Sequence, residues 1–493
     1  MADARIWSCI EYDSMSRRLA ELSFERAGQA PLDVRFAPSF PNSSAVTALP
    51  KLLEQLSDRN NQLRSLEVLL PHVASVGTQD YPPLAPLLTG PLPLLQSLLI
   101  RSCHSTATTD PWSLEGSDLP LTALTTLCGG HAPLLSRLNL QSFILPWSLS
   151  SFTGLSSLIL SHCTFRDPSP NEDFIQILRR LPSLRQLSLV NCKFLCAHHN
   201  HHHHLHPTGL DDLVELPHLQ MMRLQDLSSE DTARILSSVR APRQLRLSVK
   251  VGFEDAESAN TFARMNFSLG NVLETVRDAQ VTISDHGIGI HSVQLVGARV
   301  ISGQKKNVHF DLNCVEAFFF ESAASILGPL HIPQCHKLSV SWSDNISWGG
   351  PRVGGPAAHT SSDLAFIMRR CPSLERLMLL YPKNANTLDA LTMRQSDTDA
   401  NSMIVCPLLE ALEIECSIGM NYDEQLLQVA RMRCSRSQPG SWIRPHKLKQ
   451  LVLKGTQILK PTTVENLREM VDEVFCGGEE NDIAAFDGVH FIS

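Results

Sequence analysis

Residues Asp173–Leu189 read DFIQILRRLPSLRQLSL, and residues Asp363–Leu379 read DLAFIMRRCPSLERLML. Each copy changes its hydrophobic period halfway. Phe174, Ile177, Leu178 and Leu181 fall at i, i+3, i+4 and i+7, one apolar face of a helix. Leu364, Ile367, Met368 and Cys371 repeat that spacing. A proline follows, Pro182 or Pro372, and a helix cannot continue through it. The period then drops to two. Leu184, Leu187 and Leu189, like Leu374, Leu377 and Leu379, spell L-x-x-L-x-L, a short strand with one buried face. Helix, proline turn and leucine strand make one repeat, and a repeat of this kind needs stacked neighbours to bury its apolar face.

The neighbours are present in the sequence. Strands of the same type are predicted at Leu63, Leu95, Leu135, Leu155, Leu219 and Leu245, then at Leu338, Leu409 and Leu448. Pro93, Pro133, Pro182, Pro217 and Pro242 each precede the first leucine of a strand by two or three residues. Strand-to-strand spacings of about 20 to 40 residues bracket the leucine-rich repeat. Each strand buries three aliphatic side chains worth roughly 1.5–3 kcal/mol apiece, against about 1–2 kcal/mol per ordered residue in backbone entropy. One repeat alone therefore fails, and its neighbours must supply the rest. The fold class expected is α/β, a leucine-rich-repeat solenoid: a curved parallel sheet with helices on its convex side and an irregular central section.

Four segments follow from this pattern. Residues 1–45 precede the repeats, with Trp7, Ile10 and Tyr12 as apolar anchors, a helix over Ser16–Ala27, and a strand through Leu32, Val34 and Phe36. Residues 46–250 carry ordered leucine-rich repeats, including a helix over Ala48–Leu56 and a capped helix over Ser229–Val239. Residues 251–330 read as irregular β-rich repeats or an insertion. Its strands are expected at Val281–Ser284, Ser292–Val296 and Asn307–Asp311, with Gly287, Gly289, Gly297 and Gly303 as turns. Residues 331–493 hold C-terminal repeats, a Gly-, Pro- and Ser-rich loop at Asp344–Ser362, and a cap formed by a helix over Thr463–Val474 and by Val489–Ile492.

Composition narrows the function classes. The 493 residues include 42 basic and 50 acidic side chains, a net charge of −8 with no basic block. That balance argues against a nucleic-acid partner or an anionic membrane surface. The N-terminus, MADARIWSCIEYDSMSRR, is charged and has no apolar signal-peptide core, and no apolar run reaches the roughly 18–20 residues of a membrane span. An intracellular location, cytoplasmic and/or nuclear, is expected. The sequons at Asn42 and Asn345 then read as chance. Thirteen cysteines are scattered without close pairing, and Cys103, Cys163 and Cys192 sit just past strands, as buried free thiols in a reducing compartment.

Two stretches invite a chemical reading. Asp285-His-Gly287-Ile-Gly289 is a D-x-G-x-G element similar to the nucleotide-contacting turn of histidine-kinase-type ATPases. A metal-holding asparagine at the required distance and a later glycine-rich lid are both absent, since Asn271 is too close, and a hairpin turn accounts for the two glycines. The run from His198 to His206, preceded by Cys192 and Cys196, offers soft and borderline ligands. A homopolymeric run supplies no defined geometry, and a solvated loop insertion explains it. The sequence contains no G-x-S-x-G, H-E-x-x-H, Walker A or Rossmann fingerprint. No enzyme activity, cofactor or metal is expected.

What remains is a surface. Residues between the leucines point away from the core onto the concave face. The expected contact positions are Arg137, Asn139, Gln186, Ser188, Met221, Arg223, Arg376, Met378, Glu413 and Gln450. Arg, Met and aliphatic groups together suit a protein-binding face, so the expected partner is a target protein.

The R-R-x-P-S-L-x-x-L-x-L unit, Ile6-Trp7-Ser8-Cys9-Ile10, Leu22-Ser-Phe24-Glu-Arg26-Ala27-Gly28 and Pro31-Leu32-Asp33-Val34 together resemble the F-box proteins of basidiomycete fungi. In that family an F-box ends shortly before an L-W-S-x-I segment. The resemblance implies the substrate receptor of a cullin-type ubiquitin ligase, with the box docking a Skp-type adaptor and the repeats holding the target. Met1 falls where the box is expected to have ended. Adaptor docking is therefore expected only with an F-box upstream. The alternatives are a freestanding leucine-rich-repeat scaffold with no ligase link and, more remotely, a nucleotide-binding enzyme around Asp285–Gly289.

Overall fold

Leucines alternating with polar residues build the parallel strands of this protein, and within each unit the parallel strands pair in the order in which the chain makes them. The computed structural model describes residues 4–12, 17–36, 51–71, 85–103, 122–123, 127–145, 152–165, 174–194, 213–242, 245–253, 278–285, 291–301, 304–314, 332–344, 360–380, 382, 385–392, 405–415, 421–434, 446–454 and 459–476. They form a mixed α/β structure with extensive parallel sheet, divided into two units, Met1–Val251 and Gly252–Ser493.

In the first unit, strands Cys9–Glu11, Leu32–Phe36, Leu63–Pro71, Ser97–Cys103 and Arg137–Gln141 pair in sequence, all parallel. Ser157–Ser161, Gln186–Val190, Met221–Leu227 and Arg246–Phe253 continue the series. The register puts Leu66, Leu98, Leu138, Leu158, Leu187, Met222 and Leu247 in one file, with Val68, Ile100, Leu140, Leu160, Leu189, Leu224 and Val249 in the next. All fourteen are buried. A parallel sheet cannot slip by one residue without turning both files outward, so these leucines fix the pairing.

The prolines have a specific place. Leu92, Ala132, Leu181 and Leu216 each accept a hydrogen bond from the amide of the leucine three residues on, at 3.0–3.1 Å. Cys371 and Cys406 do the same in the second unit, at 3.1 and 3.2 Å. Pro93, Pro133, Pro182, Pro217, Pro372 and Pro407 therefore occupy the second position of an i to i+3 turn, where the ring's fixed φ is already correct. The residue after each turn leucine then joins a second spine. Gln96 donates to the Arg64 carbonyl, Ser136 and Arg137 to that of Gln96, Ser156 and Ser157 to that of Ser136, and Arg185 and Gln186 to that of Ser156.

Strand ends repeat a second device. Ser142, His162, Asn191 and Asp226 have φ of 64°, 53°, 48° and 51°. The left-handed bend turns the chain so that the following residue, Phe143, Cys163, Cys192 or Leu227, is buried. Beyond three of these bends a smaller parallel sheet forms, in which Thr122–Ala123, Phe143–Leu145, Thr164–Phe165 and Lys193–Phe194 are neighbours in that order. Phe165 and Phe194 stack there at 5.2 Å between ring centroids, and Phe174 closes on them at 5.7 and 4.8 Å. That contact ties the helix Phe174–Arg179 to the sheet. The helix Ser229–Ser238 starts on Ser228, whose hydroxyl oxygen accepts from the Asp231 amide at 3.0 Å.

The second unit opens with antiparallel pairing. Asp278–Asp285 pairs antiparallel with His291–Ile301, which pairs antiparallel with Gln304–Cys314. Asp278–Asp285 also lies parallel to Lys337–Asp344, after which Arg376–Leu380, Ala411–Glu415, Gln450–Lys454 and Glu473–Cys476 follow, all parallel. The helices Thr360–Arg369, Asp423–Cys434 and Pro461–Met470, with the 3-10 segment Ala385–Thr392, form a second layer, each touching the next. Arg433 from this layer is buried, and its guanidinium donates to the carbonyls of Val405, Cys406 and Leu409 at 3.1–3.3 Å. Burial pushes its pKa down to about 10.

Three local expectations need correction. Gly297 is no turn. It pairs with Ala279 on one side and Val308 on the other, because ladder partners on both flanks carry the strand through a residue that sequence rules treat as a breaker. The helix expected to reach Val474 ends at Met470, and Glu473–Cys476 becomes a strand on Gln450–Leu453, where tertiary pairing outweighs helical spacing. The expected loop Asp344–Ser362 overlaps the helix Thr360–Arg369 by one turn. Val489–Ile492 lies outside the described residues.

Candidate functional site

Side chains that alternate with the buried leucines emerge on the other surface of the sheet, and the register stacks them into files. In the first unit one file runs Ser97, Arg137, Ser157, Gln186, Met221, Arg246. The next runs Leu99, Asn139, Ile159, Ser188, Arg223, Ser248. Arg137, Asn139, Gln186, Ser188, Met221 and Arg223 are thereby brought onto one surface.

Hydrogen bonds link part of it. Ser157 Oγ donates to Gln186 Oε1 at 3.2 Å, Gln186 Nε2 donates to the Met221 sulfur at 3.7 Å, and Arg223 donates to Gln225 Oε1 at 2.6 Å. Met221 is 37% exposed, an unbranched apolar group open to a partner. Asn139 and Ser188 are only 8% and 6% exposed. Each is a short side chain between longer file neighbours, Leu99 and Ile159 for Asn139, Ile159 and Arg223 for Ser188. A partner meets those neighbours before it meets them. Charge at both ends of this surface is largely paired, Arg35 with Glu67 at 3.5 Å, Arg64 with Asp33, and Lys250 with Asp226 at 3.3 Å.

The second unit gathers Arg376, Met378, Glu413 and Gln450 in the same way. One file holds Lys337, Arg376, Ala411, Gln450 and Glu473, and the next holds Ser339, Met378, Glu413, Val452 and Phe475. The four expected residues line a single depression of ≈ 170 Å³. Its rim also includes Lys337, Val452 and Lys454. Lys454 pairs with Glu413 at 2.6 Å, and Gln450 Nε2 donates to Glu473 Oε2 at 3.1 Å. Lys337 and Arg376 have no side-chain partner among the described residues.

Lys337, Lys454 and Phe475 were missed by the sequence reading. Lys337 stands immediately before Leu338, at the motif position that Arg376 holds in the next strand, and Lys454 immediately after Leu453, so starting the first window at Cys335 and extending the last by one residue finds both. Phe475 directly follows the expected helix Thr463–Val474, and that helix hid the strand Glu473–Cys476 which carries it. It is 51% exposed on the outermost strand of this series.

Other chemistry-bearing groups behave as structural parts. Cys163 donates to the Leu140 carbonyl and Cys192 to that of Leu160, both at 3.5 Å. Burial pushes the Cys163 thiol up to about 11 and the Cys192 thiol higher still. Neither is a nucleophile at neutral pH. Burial likewise pushes Cys128 and Cys406 up to about 12. Asp285 faces His291 across an antiparallel pair, and Gly287 and Gly289 lie outside the described residues. So does the run His198–His206 with Cys196. Among the described residues no group of three or more His, Cys, Asp or Glu is arranged to hold a metal ion, and no helix is long and apolar enough to cross a membrane. Neither a protein-family model nor a curated protein matches the chain.

Proposed function

We propose that this protein is a non-catalytic recognition module whose leucine-rich repeats form a solenoid and whose concave sheet surface holds a target protein. The observation that carries the reading is the alignment of Arg137, Gln186, Met221 and Arg223 in one unit, and of Arg376, Met378, Glu413 and Gln450 in the other, on the side of the sheet opposite the leucine core. Arginine, methionine and a solvent-exposed aromatic concentrate where protein partners bind. The resemblance to basidiomycete F-box proteins supports a role as the target-holding part of a cullin-type ubiquitin ligase receptor, with a Skp-type adaptor bound only if an F-box lies upstream of this sequence.

A freestanding scaffold shares the same surface and dispenses with the adaptor. The two separate in one experiment, co-purification of the full natural transcript product with the Skp adaptor. Recovery of the adaptor supports the ligase role, and its absence with targets still bound supports the scaffold. For the surface itself, target capture is compared between the wild type, R137E/R223E, R376E, and E230K on a helix. Loss with the sheet variants and retention with the helix variant is expected. Equal capture by all four overturns the reading.

A further inference from the structure

The depression in the second unit carries more information than its location. Lys337 and Arg376 are register partners on adjacent parallel strands, so the two cations emerge about 4.8 Å apart in the pairing direction. On the far side Lys337 has Asp278 as its register partner, whereas the next residue along the file from Arg376 is Ala411. Arg376 is thus an exposed guanidinium with no carboxylate beside it in its file. The acid of the depression, Glu413, is neutralised by Lys454. Beyond Glu413 in its file the surface turns apolar, with Val452 buried and its register partner Phe475 open.

We infer that this depression binds an extended acidic peptide segment of a partner protein, an Asp or Glu carboxylate seated on Arg376 and Lys337 and a bulky apolar side chain seated on Val452, at the edge of the depression, and on its register partner Phe475. The inference rests on the protein-recognition reading above and names its ligand class. Charge complementarity selects the occupant: in a chain of net charge −8, this is a local positive site beside apolar surface. A guanidinium with its fork of donors holds a carboxylate in two parallel bonds. The spacing follows from the sheet. Val452 lies two strands across from Arg376 and two residues along, a separation of about 12 Å from strand and residue spacings of about 4.8 and 3.3 Å. An extended peptide covers that distance in about four residues, an even number that keeps both side chains on one face. The expected motif is therefore an acidic residue with Leu or Phe four positions away.

The test uses the full chain and dye-labelled decapeptides of Ser and Gly carrying Glu at position 4 and Phe at position 8, read by fluorescence anisotropy. Versions with Lys for Glu, and with Ala for Phe, complete the set. Binding of the Glu/Phe peptide, with tenfold or greater weakening on either replacement, is expected. R376E is expected to lose the Glu peptide and gain the Lys peptide, while F475A weakens both. Thermal unfolding of each variant confirms that it folds. Failure of the Glu/Phe peptide to bind, or indifference to R376E, overturns the inference. If target capture remains sensitive to R137E/R223E in that case, the recognition reading stands and only this ligand assignment falls.

Discussion

His162 shows how one residue position shapes a whole series. Its φ of 53° belongs to a file of bends with Ser142, Asn191 and Asp226, and its amide donates to the Val190 carbonyl at 2.8 Å. The imidazole Nδ1 lies 3.1 Å from Nδ2 of the Asn191 side chain. Burial lowers the His162 pKa below its ordinary value, and the Asp226 carboxylate opposes this without reversing it. Between the lowered value and the ordinary one near 6.5, the unfolded chain binds more protons than the folded one. Stability from this group is therefore complete above about pH 6.5 and falls as the pH drops through that window. His162→Asn, which suits the left-handed backbone as Asn191 does, is expected to reduce the stability difference between pH 7 and pH 5 in urea titrations. An unchanged difference would place the pH dependence elsewhere.

Among the elements, the proline turn decides how a helix hands over to a strand. Pro372 stands second in the turn closed by Leu374 on the Cys371 carbonyl, and Leu377 lies three residues further on in the buried file. The two act through different states. Pro372→Ala frees the unfolded chain and is expected to lower stability by about 0.4–1 kcal/mol, as a fall in urea midpoint with an unchanged slope. Leu377→Ala empties a fully enclosed site and is expected to cost about 2–5 kcal/mol. If the proline variant costs as much as the leucine variant, the turn has a packing role that its hydrogen bonds do not reveal. The sequence disclosed these elements unevenly. The Leu135 and Leu184 strands were readable because period-two leucines after a proline have a single packing solution. Glu473–Cys476 was not, since Val474 and Phe475 fit a helix as well as a strand until Leu451 and Val452 lie beside them. The antiparallel strands of residues 278–314 were detected but drawn too short, because alternation is lost where Gly297 interrupts it.

For the molecule as a whole, the informative result is a surface assembled from positions far apart in sequence. Arg376, Met378, Glu413 and Gln450 could be placed together from the repeat alone, since equal register aligns equal motif positions. Exposure could not, because whether Asn139 is covered depends on the length of its file neighbours Leu99 and Ile159. Nucleotide binding at Asp285 is a competing global reading, and it makes a distinct demand: ATP with Mg²⁺ at a hundred times its dissociation constant stabilises a specific site by about 2.7 kcal/mol. No shift in thermal midpoint is expected for this protein with millimolar ATP and Mg²⁺. A rise of several degrees would restore the nucleotide reading.

The spine of shared carbonyls carries an implication for how such a chain lengthens or shortens over time. Each acceptor, from Arg64 through Gln96, Ser136 and Ser156, serves donors supplied by the unit that follows it. An excision that joins two equivalent spine positions, for instance Ser156 directly to Gln186, leaves every later donor with an acceptor. One that is a single residue out of phase also flips the downstream leucines to the wrong side. Gain and loss of units in such a lineage should therefore occur in whole multiples, with breakpoints clustered at the turn rather than scattered through the loops.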